Sequence, residues 1–298
     1  MKPRRARSFF DFLAFSNIFL SLCVTSLVLE TAVALHKQGT DWAYSFFLFS
    51  ATLCLYCFHR LYRFNFRAEP EKQRERHRWL MQNRTLFFTI TALSCCGTLW
   101  SLAFYIPWRI LPPLLPVALL SVGYTVPCLP WKGRLIRLRD IPGLKIFIIS
   151  LVLGLTTVLL PMLEQENIHA LFHRDVMFVF FRRICFIFAI TIPFDIRDQA
   201  FDKEHHTQTL PLLLGDRRAR ILAYTALVAF IILAAIQVIS GSDFPPAYFI
   251  ALLVSALVSG MVIHLSRLNP KDYYYSYLLE GMMLFQCILI FIAHKFWP

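Results

Sequence analysis

Apolar residues along this chain come in long runs rather than in stripes. Nearly uncharged stretches of about 20 residues, the length that crosses a hydrocarbon layer, recur at roughly 9–35, 42–64, 86–106, 110–128, 144–163, 176–194, 219–240, 247–267 and 276–296. The longest polar segments between them are 63–85 and 195–220. The runs show no alternation of period two, so they are not barrel strands. In lipid every backbone N–H and C=O has to bond within the protein, which leaves the α-helix. The pattern predicts an all-α, polytopic membrane protein of about nine transmembrane helices. No connecting segment is long enough to fold alone, so residues 1–298 read as a single transmembrane domain. The first run, Phe9 to Leu35, is too long for a signal-peptide core and reads as a retained span.

Composition agrees: 57% of the 298 residues are hydrophobic and 16% are charged, where a soluble domain carries about 25% charged residues. The net charge of +12 would suit a nucleic-acid partner, but its distribution argues for topology instead. Of the 30 Lys and Arg residues, 23 fall in segments 1–8, 63–85, 129–145, 195–220 and 267–275, and only Lys37, Arg109, Arg174 and Lys295 fall on the other side. By the positive-inside rule this orients the chain N-in and C-out, with no nucleic acid required. With no sign of an organelle-targeting segment, a bacterial inner membrane is the expected location. Cys54-x-x-Cys57 lies inside a predicted span with no second pair, so it does not indicate zinc or redox chemistry.

Spans 2, 4 and 6 then run outside to inside and end at one membrane face. At the end of span 6, Asp195, Asp198 and Asp202 are spaced i, i+3 and i+7, which places them on one helical face. Aligned carboxylates repel one another, but as hard oxygen ligands they suit Mg²⁺, which commonly bridges a carboxylate to a diphosphate. The alternative is a polar membrane exit whose acids pair with Arg197, Lys203 or Arg217.

The run Asp195-x-x-Asp198-x-x-x-Asp202-Lys203, followed by Thr209-Leu210-Pro211 and Leu214-Gly215, resembles the second aspartate-rich motif of the UbiA superfamily of intramembrane prenyltransferases. Gly123-Tyr124-Thr125-Val126-Pro127 resembles that family's fourth helix, and the nine-helix layout agrees over the whole chain. The resemblance implies a UbiA-like helical bundle around a lipid-facing cavity. There Mg²⁺ on two aspartate-rich motifs binds an isoprenyl diphosphate, and the isoprenyl group passes to an aromatic or lipid acceptor. It implies that Asp195, Asp198 and Asp202 hold metal and diphosphate, that Lys203 and the basic inner loops neutralise leaving-group charge, and that Tyr124 lines the site.

One departure is large. The first aspartate-rich motif belongs at the end of span 2, where this chain has Tyr56-Cys57-Phe58-His59-Arg60-Leu61-Tyr62-Arg63-Phe64-Asn65-Phe66 and no acid before Glu69. A second Mg²⁺ is not expected there. Either Arg60 and Arg63, with His59 beside them, clamp the diphosphate directly and leave one Mg²⁺ or none, or the transfer chemistry is lost and a lipid-binding or regulatory relative remains. Smaller departures are His206 and Gln208. A transporter is a rival from another class, since Pro112, Pro113, Pro116 and Pro193 within and beside spans are the kind of residue that marks broken helices; against it, the halves show no repeat and the acids cluster at one face.

Three further polar residues call for partners. Glu30 in span 1 matches the depth of Arg182 and Arg183 in span 6, which predicts an ion pair. Glu280 in span 9 lies at a depth from which it can reach Arg60 or His59, and reads either as a cavity group or as half of a plain ion pair. Asn17 is expected to make an interhelical hydrogen bond or a substrate contact. The charged stretch from Arg67 to Arg78 reads as a solvated connector or a short surface helix.

Overall fold

The computed structural model describes residues 4–35, 42–63, 75–131, 133–165, 168–204, 207–241, 244–269 and 271–296. Helices dominate: α1 (Arg4–Phe15), α2 (Ile18–Ala34), α3 (Trp42–Arg63), α4 (Glu75–Gln82), α5 (Arg84–Phe104), α6 (Leu111–Thr125), α7 (Leu144–Gln165), α8 (Arg174–Glu204), α9 (Leu210–Leu214), α10 (Asp216–Ile239), α11 (Pro246–Leu265) and α12 (Gly281–Phe296). A small hairpin, β1 (Leu129–Trp131) with β2 (Arg134–Ile136), and a 3₁₀ turn (Leu138–Asp140) lie between α6 and α7. A π-helical turn (Tyr274–Leu279) leads into α12.

Among the described residues, six helices are long and apolar enough to cross a membrane: α3, α5, α8, α10, α11 and the π-turn together with α12. The α1–α2 pair makes a seventh, and α6 and residues 144–159 of α7 are shorter apolar helices at the places predicted for spans 4 and 5. The first predicted span is therefore not one straight rod but two helices at 61°. The cause is Asn17, which holds φ 67° and ψ 7°. Asparagine enters this left-handed region more readily than most residues because its short amide can hydrogen-bond locally. Its amide also makes the expected interhelical bonds, donating to Cys57 Sγ at 3.5 Å and accepting from Arg76 Nη2 at 2.9 Å.

The packing order follows from which faces are apolar. α2, α7, α8, α10, α11 and α12 touch in sequence and close into a ring, while α3, α5 and α6 flank it on the α2–α7 side. The surface of this bundle is oily: Leu93, Leu119 and Leu257 are each more than 60% exposed. The interior carries charge: Glu30, Arg182 and Arg183 are at most 2% exposed. A soluble protein does the reverse, so the distribution fits lipid as solvent. The predicted ion pair is present. Glu30 accepts from Arg183 through Oε2, Arg182 Nη2 lies 4.0 Å from Oε1, and Thr31 and Gln237 take further guanidinium donors. An apolar groove of about 430 Å³, lined by Trp42, Phe46, Cys96, Gly97, Trp100 and Tyr105, lies at the opposite end of α3 from His59, where aromatic side chains suit a membrane interface.

Two helix features position the site. α8 is 31 residues long and runs on as helix ten residues past the predicted span end, through all three aspartates, with Pro193 inside it. Gly143, at φ 72°, ends the turn before α7 and donates its N–H to Gln208 O at 2.8 Å, tying the start of α7 to the segment after α8. A non-glycine residue would be strained at that φ.

Candidate active site

The C-terminal ends of α3, α6 and α8 and the N-terminal end of α7 meet at one end of the bundle. α8 turns Asp195 and Asp202, two helical turns apart, onto the side chain of Lys145 from α7. Lys145 Nζ lies 2.6 Å from Asp195 Oδ1 and 3.2 Å from Asp202 Oδ2. Both acids are 1% exposed and Lys145 is 9% exposed. The other oxygen of each acid, Asp195 Oδ2 and Asp202 Oδ1, is buried with no hydrogen-bond partner among the described residues.

Arg139 completes the cluster from the 3₁₀ turn. That turn is fixed by Asp140, which accepts from Arg137 N at 3.1 Å and from Arg137 Nε and Nη2 at 2.9 and 2.7 Å. Burial pushes the Asp140 carboxyl up, but the hydrogen bonds from Arg137 outweigh it and hold the group below its usual range. Asp140 thus stays ionised as the brace of the turn. Arg139 is 1% exposed, donates to His59 Nε2 at 2.7 Å, and lies over the Tyr124 ring at 5.1 Å. Its Nε and Nη2 are buried with no partner among the described residues. The His59 and Tyr124 rings are themselves 5.5 Å apart.

The predicted residues thus divide. Asp195, Asp202, His59 and Tyr124 come together around Lys145 and Arg139. Asp198 points elsewhere: Arg197 Nε bonds it at 2.7 Å and Arg197 Nη1 bonds Asp272 at 3.2 Å, with the guanidinium over the Tyr275 ring at 4.3 Å. Arg60 turns away, donating to Phe15 O and lying over the Phe87 ring. Lys203 is exposed at the end of α8. The Arg63 side chain, His205, His206 and residues 64–74 lie outside the described residues. The charged connector does end in a helix, α4, but Arg76 on it points inward to Asn17. Glu280 faces Arg76 and Arg197 rather than Arg60 or His59, because Arg60 is held against α1 and α5 and His59 by Arg139.

Lys145 and Arg139 were missed in the sequence. Both sit in the basic segment 129–145, where a cation at a span entrance also serves topology, so residue type alone did not separate them from their neighbours. Arg139 did carry one signal, the adjacent Asp140 in an otherwise basic loop.

The sequence matches the model of the UbiA prenyltransferase family over residues 71–278. The chain belongs to that family. Three solved structures share the fold of this UbiA family member. The apo UbiA homologue from Aeropyrum pernix K1 is 17% identical with a TM-score of 0.63, covering 92% of this chain and 97% of its own. A digeranylgeranylglyceryl phosphate synthase is 14% identical with a TM-score of 0.58, covering 95% and 97%. A Cd²⁺-bound UbiA homologue from Archaeoglobus fulgidus is 14% identical with a TM-score of 0.58, covering 96% and 98%. Curated protein sequences give no match to it. The UbiA family member is thus an integral membrane protein with an intramembrane prenyltransferase fold.

Proposed function

We propose that this chain is a prenyltransferase that moves an isoprenyl group from its diphosphate to a hydrophobic acceptor, an aromatic ring or a lipid, in a bacterial inner membrane. The observation that carries this reading is the sealed charge cluster at the end of the bundle: two acids opposite Lys145, with the unpaired edge of Arg139 beside them. Ionisable groups within a membrane bundle are costly and mark sites of function. A guanidinium edge with free donors matches phosphate oxygens, which it binds bidentately.

In the reaction, the bond between the allylic carbon and the diphosphate oxygen breaks and its electron pair leaves with the diphosphate. The acceptor's nucleophilic atom then bonds to that carbon and releases a proton. The chain's contribution is electrostatic. Arg139 and Lys145 stabilise charge gathering on the leaving diphosphate. Tyr124 and His59 hold Arg139 in place. Asp198 braces Arg197 against Asp272, and Lys203 at the exposed end of α8 adds to the field that draws an anionic substrate in.

One Mg²⁺ fits this donor set. Asp195 Oδ2 and Asp202 Oδ1 are hard oxygen atoms without partners, and Mg²⁺ is held by one or two carboxylates with phosphate oxygens and water completing its shell. Bound there, it would neutralise diphosphate charge. A second ion does not fit the end of α3, where His59 is bonded to Arg139 and no acid is present.

The acid-free end of α3 favours a second reading, a relative that keeps the bundle and its buried charge cluster and has lost transfer, leaving a lipid-binding or regulatory protein. Purified protein in nanodiscs, given Mg²⁺, radiolabelled isoprenyl diphosphates and a panel of aromatic and lipid acceptors, is expected to form labelled product. Diphosphate binding without turnover on any acceptor would support the second reading instead.

A further inference from the structure

Lys145 stands where a metal ion would join the two acids. Its ammonium spans Asp195 and Asp202 at 2.6 and 3.2 Å inside the bundle, and Arg139 lies within electrostatic reach as a second positive charge. A divalent cation arriving alone would have to displace two charge-assisted bonds and then sit close to both positive groups in a medium that screens poorly. The two unpartnered carboxylate oxygens are donors to which the fixed cation bars access. A diphosphate removes the bar. Its oxygens offer the ammonium an alternative anion, and a lysine's flexible stem lets the charge swing across while its backbone stays fixed, two residues after the Gly143–Gln208 tie.

We propose that Lys145 is a built-in counter-ion that blocks divalent-cation binding until a diphosphate is present, so that metal enters the site with or after the diphosphate and never before it. Lys145 is then a positioning residue for Asp195 and Asp202 as well as a contact of the leaving group. This inference rests on reading the cluster as a diphosphate site.

Equilibrium dialysis of the full chain in nanodiscs against radioactive Mn²⁺ tests it, with and without an isoprenyl thiodiphosphate that reacts slowly. Wild type is expected to retain no Mn²⁺ alone and one ion per chain with the analogue. Lys145→Met is expected to bind Mn²⁺ without the analogue, at least about tenfold tighter than wild type, as removal of a unit charge at this range requires. Adding Asp195→Asn to Lys145→Met is expected to abolish that binding, and Lys145→Arg is expected to behave as wild type. Wild type that binds Mn²⁺ alone as tightly as Lys145→Met would overturn the proposal, as would folded Lys145→Met that stays blind to the metal. If Lys145→Met does not fold, the wild-type arms still decide, because Mn²⁺ retained by wild type without analogue refutes the block. Failure of the analogue to bind wild type at all would count against the diphosphate site itself, whereas the metal-alone arms report on Lys145 independently.

Discussion

Asp195→Asn is expected to lower isoprenyl transfer by about 10²–10³-fold, the cost of removing one preorganised electrostatic group from a dry site. Asparagine keeps the shape of the side chain but cancels the charge that holds Lys145 at 2.6 Å and takes away the hard anionic oxygen offered by Oδ2. Lys145 is left with Asp202 alone, and the ammonium moves off the position from which it meets the leaving group. Asp202→Asn is expected to behave similarly, since its carboxylate holds the same ammonium at 3.2 Å. Asp198→Asn is expected to cost less, because its carboxylate answers Arg197 rather than the cluster. Initial rates at saturating diphosphate, with helical content checked by circular dichroism, read these differences. Asp195→Asn with wild-type turnover, or Asp198→Asn the most damaging of the three, would place the chemistry elsewhere on α8.

A different kind of loss is expected at the other buried cluster. Glu30→Gln leaves Arg182 and Arg183 in the bundle interior without their shared carboxylate. Breaking a buried ion pair from one side costs about 3–5 kcal/mol, because the charge left behind is uncompensated. The expected result is a large fall in thermal unfolding temperature in detergent, or protein that no longer folds. Replacing all three with leucine is expected to recover much of that loss, since an apolar substitute for a whole buried cluster is often neutral. Arg183 precedes Asp195 by 12 residues on α8, about 18 Å at the rise of a helix, so transfer activity per folded molecule is expected to survive in the triple variant. Stability unchanged in Glu30→Gln would mean that the two guanidinium groups find other anions.

How much of this was legible in the sequence depended on what each residue's neighbours in the chain reveal. The membrane-spanning, all-α character was legible because a hydrocarbon layer imposes a length, although among the described residues six helices and one bent pair reach it rather than nine, and the Glu30–Arg183 pair because matched depth in that layer leaves a buried charge few places to go. The bend at Asn17 was not, since a left-handed residue inside an apolar run leaves the hydropathy pattern unbroken. The aspartates were legible from their spacing, yet spacing on one helix did not reveal that Asp198 turns to Arg197 while Asp195 and Asp202 share Lys145. That split is decided by what other helices present. For the same reason Arg60, at the place of the lost acidic motif, drew attention that belonged to Arg139, which lies 79 residues further on and reaches the site only through the turn braced by Asp140.

The most direct measurement is an experimental structure of the chain with an isoprenyl thiodiphosphate bound. The phosphate groups are expected at the inner ends of α3, α6, α7 and α8, within hydrogen-bond reach of Arg139 and Lys145, with the hydrocarbon tail directed into the bundle. Phosphate density away from Arg139 and Lys145, with Lys145 still closed on both acids, would contradict that placement.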